Sequence, residues 1–299
     1  MDFNEVNELL SRHLDTPTDT PPLYHYTSVY GLEGIMKNEE VWVSHTDFLN
    51  DKTERLYSGN IIVELIEKKF KAKAAELVKD LKDHPPLNDL LDKIREAFQK
   101  KIVPTFVLSL STNKDSNLLW SNYSKDDGYN IEFDPDFFAE EIQVETDNIK
   151  GATLFKSKVI YDEEKHFLAL SELADKYVEH FFMNRNQSDE EFGSNLKNMH
   201  LAHQVMAAFF KDSCFQQEEE WRIVLFTPIE NIPIKHRIMN GAFIPYVKLS
   251  FDKKLIRGVT IGPKNKMDIS EEGLKSFLNT KAYNLNRIEI NRSKIPYRY

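Results

Sequence analysis

The stretch Glu218–Phe226 constrains the fold most, because three consecutive glutamates run directly into a β-branched and aromatic segment. The second half of this stretch predicts a strand that is buried on at least one face and ends before Pro228. Alternation with a period of two would place Glu218, Glu220 and Arg222 on the same face of that strand. Such a face predicts either a functional site or a solvated strand end with an ordinary surface ion pair.

The composition is that of a globular protein, since 41% of the 299 residues are hydrophobic and 12% are aromatic. The net charge of −9 argues against non-specific binding to nucleic acid through phosphates. The single cysteine, Cys214, excludes an internal disulfide and a thiolate zinc cage, and we expect it to be a buried, inert thiol. The apolar runs are shorter than a membrane span and no signal peptide is recognisable, so we expect a cytoplasmic protein without a membrane segment.

Hydrophobic periodicity predicts a mixed α+β fold. Ser28 and Ser116 are placed to cap the helices that follow them. Strands are predicted at about residues 23–28, 41–44, 105–111, 128–134, 154–161, 244–249, 256–263 and 287–290, in addition to the acidic one. Helices are predicted at about 3–14, 29–36, 54–82, 87–101, 117–123, 167–182, 191–210 and 270–278. No repeat or linker divides the chain, so we interpret residues 1–299 as one domain with a helical insertion at about 52–102.

Several common catalytic motifs are missing from the sequence, including GxGxxG, the lysine loop of P-loop enzymes, GxSxG and HExxH. His200 and His203 lie three residues apart on a predicted helix, but no acid follows at a third fitting position. We therefore predict no metal site and interpret both as surface or packing histidines. Glycosidase chemistry stays open, because Glu218 and Glu220 would lie roughly 7 Å apart along a strand.

A set of short motifs, taken in order, resembles a bacterial family catalogued as domain of unknown function 2971. The motifs are Leu23-Tyr24-His25-Tyr26-Thr27-Ser28, Trp42-Val43-Ser44, Phe48-Leu49-Asn50-Asp51 with Glu54, Val107-Leu108-Ser109-Leu110-Ser111, Leu119-Trp120-Ser121-Asn122-Tyr123 with Gly128, and Glu218-Glu219-Glu220-Trp221-Arg222. That family in turn looks like a remote branch of the ADP-ribosyltransferase superfamily. The resemblance implies a split β-sheet core with a helical insertion and additional packed helices.

The same resemblance implies the site residues. His25 takes the histidine position of the first strand, Glu220 the glutamate position of the late strand, and Glu218 the first acid of an ExE pair. Tyr123 takes the tyrosine position, with Tyr129, or Ser109 and Ser111, as alternatives. The catalytic residues are then Glu220, Glu218 and His25, and the NAD-binding residues are His25, Tyr26, Thr27, Ser109, Ser111, Trp120, Tyr123 and Arg222.

The implied activity is an NAD-dependent ADP-ribosyltransferase, a glycosyltransferase that acts on a protein or nucleic-acid acceptor. By resemblance it would be a toxin or an anti-phage effector, with an antitoxin or regulatory protein as a possible partner. Two other functions are open: a non-catalytic module that senses NAD or another nucleotide, and an NAD glycohydrolase. For the transferase, we expect Glu220→Gln to abolish turnover with little loss of folding stability.

Overall fold

The computed structural model describes residues 3–14, 20–48, 53–77, 92, 94–96, 98, 103–124, 127–139, 143–144, 153–183, 189–226, 233–239, 241–265 and 267–296. The chain divides into two compact units. The helical unit comprises Met1–Thr16, Leu49–Pro104 and Ser157–Phe215, and the sheet unit comprises Pro17–Phe48, Thr105–Lys156 and Gln216–Tyr299.

The helical unit is built on amphipathic helices that bury one apolar face each. Buried Leu9, Ile62, Phe70 and Leu170 come from three of its helices and form part of its interior. Its helices are α1 (Phe3–His13), α3 (Thr53–Leu77), α6 (Glu163–Met183) and α7 (Asp189–Ala207).

The sheet unit contains a mixed sheet, in which most neighbouring strands are antiparallel and β10 pairs with β11 in parallel. Its helices are α2 (Val29–Asn38), α4 (Asn117–Tyr123), α5 (Asp136–Ala139) and α8 (Ser270–Thr280). Its strands are β1 (Leu23–Thr27), β2 (Glu40–His45), β3 (Thr105–Ser111), β4 (Tyr129–Phe133), β5 (Gln143–Val144), β6 (Thr153–Lys158), β7 (Glu220–Phe226), β8 (Lys235–Met239), β9 (Ala242–Ser250), β10 (Ile256–Ile261) and β11 (Glu289–Arg292). The last two residues of β6 belong to the helical unit.

The core of the sheet unit lies on one face of the β3–β7 ladder. Residues opposite each other in a ladder share a face. The pairs Leu108↔Ile223 and Leu110↔Trp221 belong to one buried apolar cluster, which also includes side chains from α2 and α8. The other face of the same ladder carries polar side chains and is described below.

One edge of β3 is shared by two strands, so the sheet splits there. Near its end β3 pairs with β1 through Tyr24↔Ser111, and near its start it pairs with β2 through Ser44↔Val107. The opposite edge of β3 pairs with β7 along its whole length. Ser109 lies between the two pairings and is exposed, although the other residues of β3 are buried.

The prediction of a mixed α+β fold is confirmed, and so are the side-chain caps at Ser28 and Ser116. The larger corrections to element ends are these: the helix predicted at 167–182 begins at Glu163, the helix predicted at 191–210 ends at Ala207, the strand predicted at 154–161 ends at Lys158, and the last strand begins at Glu289. Strand β8 was not predicted, because its sequence lacks apolar alternation and it forms by pairing with β9.

The predicted insertion at about 52–102 is helical over α3, while the helix predicted at 87–101 falls largely outside the described residues. Assignment of residues 1–299 to one domain stays a prediction. Over the described part of the chain, no helix combines the length and the apolar character needed to cross a bilayer.

Candidate functional site

The polar face of the β3–β7 ladder brings together residues that are more than a hundred positions apart in sequence. The register pairs Ser109 with Arg222 and Ser111 with Glu220. Because opposite residues share a face, these four side chains lie on the side of the ladder that faces away from the apolar core. The predicted strand therefore does carry its acid and its guanidinium on one polar face.

Glu220 and Arg222 form a two-pronged ion pair within β7. Arg222 Nε donates to Glu220 Oε1 at 2.8 Å and Arg222 Nη2 donates to Glu220 Oε2 at 3.1 Å. Glu220 is 4% exposed and Arg222 is 6% exposed. The alternative of an ordinary surface ion pair is therefore wrong. The fork holds the carboxylate in one orientation and uses two of its roughly four lone-pair positions.

Glu218 lies in the same region, but it is not part of the strand on which the sequence placed it. It is the last residue of a 3₁₀ segment, Ser213–Glu218, and Glu219 then adopts a left-handed backbone with φ of 48°. The strand begins only at Glu220, so period-two alternation does not extend to Glu218. The spacing that kept glycosidase chemistry open, two acids on one strand, therefore does not apply.

Side chains from the end of β3 hold this bend in place. Ser111 Oγ donates to the carbonyl of Glu218 at 2.7 Å, and the amide of Asn113 donates to Ser111 Oγ at 3.0 Å. Thr112 Oγ1 donates to the Glu219 carboxylate at 2.9 Å. A non-glycine residue with positive φ is costly unless its surroundings fix it, and these bonds supply that restraint.

Tyr123, at the end of α4, connects that helix to the acidic bend. Its hydroxyl donates to Glu218 Oε1 at 3.0 Å, while the residue as a whole is 41% exposed. Burial of the hydroxyl raises the pKa of Tyr123, and the charge of Glu218 raises it further. The phenol therefore stays protonated at neutral pH and can donate to Glu218, leaving much of the ring accessible to a planar ligand.

His25 lies on β1 beside the split in the sheet. Its Nδ1–H donates to the carbonyl of Ser109 at 3.3 Å, and its ring is partly exposed. Burial lowers the pKa of His25 to about 4, the bond to Ser109 opposes this shift, and the positive charge of Arg237 contributes to it. The imidazole is therefore neutral at pH 7, so Nε2 can accept a hydrogen bond from a hydroxyl group.

Two of the residues predicted to bind NAD are used in packing. Tyr26 donates to the carbonyl of Asn113 at 2.7 Å and accepts from the amide of Ser116 at 3.0 Å. Trp120 is 2% exposed, packs edge-on against Tyr26 and donates to Asp115 at 2.7 Å. These contacts fix α4, and thus Tyr123, against β1. Their roles in NAD binding, and that of Thr27, stay predictions.

One polar side chain of this face, Arg237, was not predicted from the sequence. Arg237 on β8 donates from Nη2 to Ser44 Oγ at 2.9 Å and acts electrostatically on His25. No sequence signal marked it beyond the short basic run Lys235-His236-Arg237.

The remaining candidates for chemistry are a metal site, the pair His200 and His203, and Cys214. In the described ranges, no group of histidine, cysteine and carboxylate side chains could hold a metal ion. His200 and His203 both pack edge-on against Phe98, so the interpretation as packing histidines is confirmed. The prediction for Cys214 was wrong: it is exposed, because the 3₁₀ segment that carries it runs along the surface.

The fold and the polar face define a mixed α+β protein with a split sheet and a buried glutamate–arginine fork. Residues 119–223 match the model of the family described as "Protein of unknown function (DUF2971)". This match confirms the similarity to that family, and its span contains Tyr123, Glu218, Glu220 and Arg222. No curated protein and no solved structure matches the chain.

Proposed function

We propose that this protein is an NAD-dependent ADP-ribosyltransferase built on a branch of the ADP-ribosyltransferase fold. It would cleave the nicotinamide glycosidic bond and transfer ADP-ribose to a macromolecular acceptor, a protein or a nucleic acid. The observation that carries the proposal is the buried, oriented carboxylate of Glu220, which shares one face of the sheet with Ser109 and Ser111. The charge of Glu220 contributes to the raised pKa of Tyr123 on α4, and His25 on β1 donates to the carbonyl of Ser109.

Glu220 is the residue proposed to stabilise the transition state. Departure of nicotinamide leaves positive charge on the sugar, and a carboxylate that accepts a hydrogen bond from the 2′-hydroxyl holds that sugar more tightly as the charge develops. Arg222 keeps the Glu220 carboxylate oriented. Arg222 is thus a positioning residue, which replaces the expectation that it binds the cofactor directly.

Other donors and acceptors near this face suit a dinucleotide with ribose hydroxyls and a flat pyridine ring. Neutral His25 can accept from a ribose hydroxyl, and the exposed hydroxyl of Ser109 can donate or accept beside it. The accessible part of Tyr123 offers a ring face for nicotinamide. The buried positions of Tyr26 and Trp120 favour support of these residues over contact with the ligand.

Glu218 is the proposed general base. The bond between the anomeric carbon and the pyridine nitrogen breaks, and its electron pair leaves with nicotinamide. The acceptor nucleophile forms the new bond to the same carbon, and its proton passes to the Glu218 carboxylate. The hydrogen bond from Tyr123 would orient Glu218 for this transfer.

Incubation of the purified protein with NAD labelled in the adenylate moiety, with and without cell lysate, tests the proposal. Label on a macromolecule supports transfer. Release of nicotinamide without macromolecular label would instead support the NAD glycohydrolase, with water as acceptor. Binding of NAD without either product would support a sensing module. Glu220→Gln should abolish turnover, whereas Glu271→Gln, which alters an exposed pair with Lys275, should not.

The cellular role belongs to the proposal as well. The resemblance suggests a toxin or an anti-phage effector, and such an activity would need an antitoxin or regulatory protein to protect the producing cell. Growth arrest on expression of the wild-type chain, and normal growth on expression of Glu220→Gln at equal protein level, is the expected result.

A further inference from the structure

Arg237 has no carboxylate partner among the described residues. It lies on β8, and its Nη2 donates to Ser44 Oγ at 2.9 Å. Its Nε is buried and has no hydrogen-bond acceptor among those residues. Burial of a guanidinium is costly when nothing compensates its charge. Within the part of the chain that the structure describes, Arg237 is therefore a partly desolvated cation whose Nε–H has no acceptor.

Other arginines of the sheet unit show the usual arrangement. Arg222 is forked on Glu220, and Arg257 is paired with Asp134. Arg257 is about half exposed, so its charge is also partly compensated by solvent. Arg237 is set apart because its guanidinium is partly buried while its only described hydrogen-bond partner is a neutral hydroxyl group.

The surroundings of Arg237 belong to the polar face of the sheet. The pairings Ser44↔Val107, Ser44↔Tyr246 and Arg237↔Ile244 place Arg237 on the same side as Ser109. Trp42 and Tyr246 stack beside it, with ring centroids 4.2 Å apart. The guanidinium is close enough to His25 to lower the pKa of the imidazole.

We propose that Arg237, held by Ser44, forms an oxyanion subsite that binds the diphosphate of the NAD substrate. The identity of the ligand rests on the proposed function, whereas the binding of a diphosphate can be tested without it. The planar guanidinium suits the task, because its N–H groups can bind phosphate oxygens in a two-pronged arrangement. The Ser44 hydroxyl holds the guanidinium in place.

The subsite also accounts for how the dinucleotide could span the split. His25 contacts the carbonyl of Ser109, and Ser109 is the cross-strand partner of Arg222. A diphosphate at Arg237 would lie on the β2 side of the split, and the reacting ribose would lie at Glu220, opposite the end of β3 that pairs with β1. Because Arg222 is forked on Glu220, we assign the phosphate-binding role to Arg237.

Calorimetric titration of the full chain with inorganic pyrophosphate at low ionic strength tests the subsite. Arg237→Met should weaken binding by about tenfold or more, because it removes a charge-assisted fork. Arg237→Lys should weaken it by a smaller factor, since it keeps the charge and loses the fork. The control Arg287→Met removes an exposed arginine of the same unit, and its dissociation constant should stay within about twofold of wild type.

Thermal melts with and without pyrophosphate provide a second readout: the ligand should raise the melting temperature of wild type and not that of Arg237→Met. If Arg237→Met does not fold, Arg237→Lys carries the test, and unchanged affinity in that variant overturns the subsite. Wild type that does not bind pyrophosphate, or equal affinity in wild type and Arg237→Met, also overturns it.

Kinetics separate this inference from the proposed function. If pyrophosphate binding depends on Arg237 but NAD is never cleaved, the subsite stands and the transferase fails. If NAD is cleaved and Arg237→Met retains the wild-type KM and kcat, the transferase stands and the subsite fails. When both hold, the KM for NAD should rise in Arg237→Met and stay unchanged in Arg287→Met.

Discussion

Replacement of Glu220 by glutamine should destabilise the protein, because it removes the carboxylate on which the buried guanidinium of Arg222 is forked. Breaking a buried ion pair from one side costs about 3–5 kcal/mol. Glutamine keeps one oxygen that can accept from Arg222, so we expect the lower end, about 3 kcal/mol. At about 2 °C per kcal/mol for a chain of this size, the melting temperature should fall by about 6 °C. This replaces the expectation from sequence that the substitution would cost little stability.

The assay is thermal denaturation followed by circular dichroism, with Arg222→Met and the double variant measured in parallel. The double variant removes both charges. Its loss in free energy of unfolding should therefore be about 2 kcal/mol smaller than the sum of the losses in the two single variants. Glu271→Gln is the matched control: its pair with Lys275 is exposed, and its effect should stay below about 0.5 kcal/mol. Melting of Glu220→Gln within about 1 °C of wild type, or strict additivity in the double variant, would refute the reasoning.

Three further predictions follow from the same contacts. In chemical denaturation, Ser111→Ala should lower the free energy of unfolding by about 2 kcal/mol, because it removes the donor to the Glu218 carbonyl and the acceptor of the Asn113 amide. A decrease below about 0.5 kcal/mol contradicts this prediction. Under the proposed function, Tyr123→Phe should leave the KM for NAD nearly unchanged and lower kcat, whereas Tyr123→Ala should also raise KM by about tenfold through loss of the ring; equal kinetics for both variants contradict this. The pKa of His25 is lowered to about 4, so its contribution to stability is present above pH 6.5 and is lost as pH falls toward 4. The full shift corresponds to about 3 kcal/mol, which we reduce to about 1–2 kcal/mol because the ring is partly exposed; His25→Gln should flatten the pH dependence of stability in this window, and an unchanged profile contradicts the assignment.

Much of the local structure was determined by the sequence alone. The run from Thr105 to Ser111 and the apolar half of β7 predict buried strands, and both form over the expected residues. Ser28 and Ser116 cap their helices because a side-chain oxygen at that position accepts from a backbone N–H two or three residues later. Burial and alternation are properties of short segments, so they can be recognised before the fold is known.

The candidate site was predicted only in part. Glu220 and Arg222 share a face because both lie within β7, which their spacing in sequence already indicated. Glu218 reaches that region for a reason that the sequence pattern did not contain: the left-handed backbone of Glu219, fixed by side chains from the end of β3. Alternation assumes an uninterrupted strand, and it cannot anticipate a bend that distant residues impose.

Only the tertiary structure decided which distant residues meet. The antiparallel register of β3 on β7 brings Ser109 and Ser111 opposite Arg222 and Glu220, and the shared edge of β3 creates the split where His25 lies. Arg237 reaches the polar face because its strand pairs with β9, although its own sequence does not predict a strand. Hydrophobic pattern determines which segments are buried, whereas strand order and register depend on pairings between segments far apart in the chain, and those pairings set the chemistry of the site.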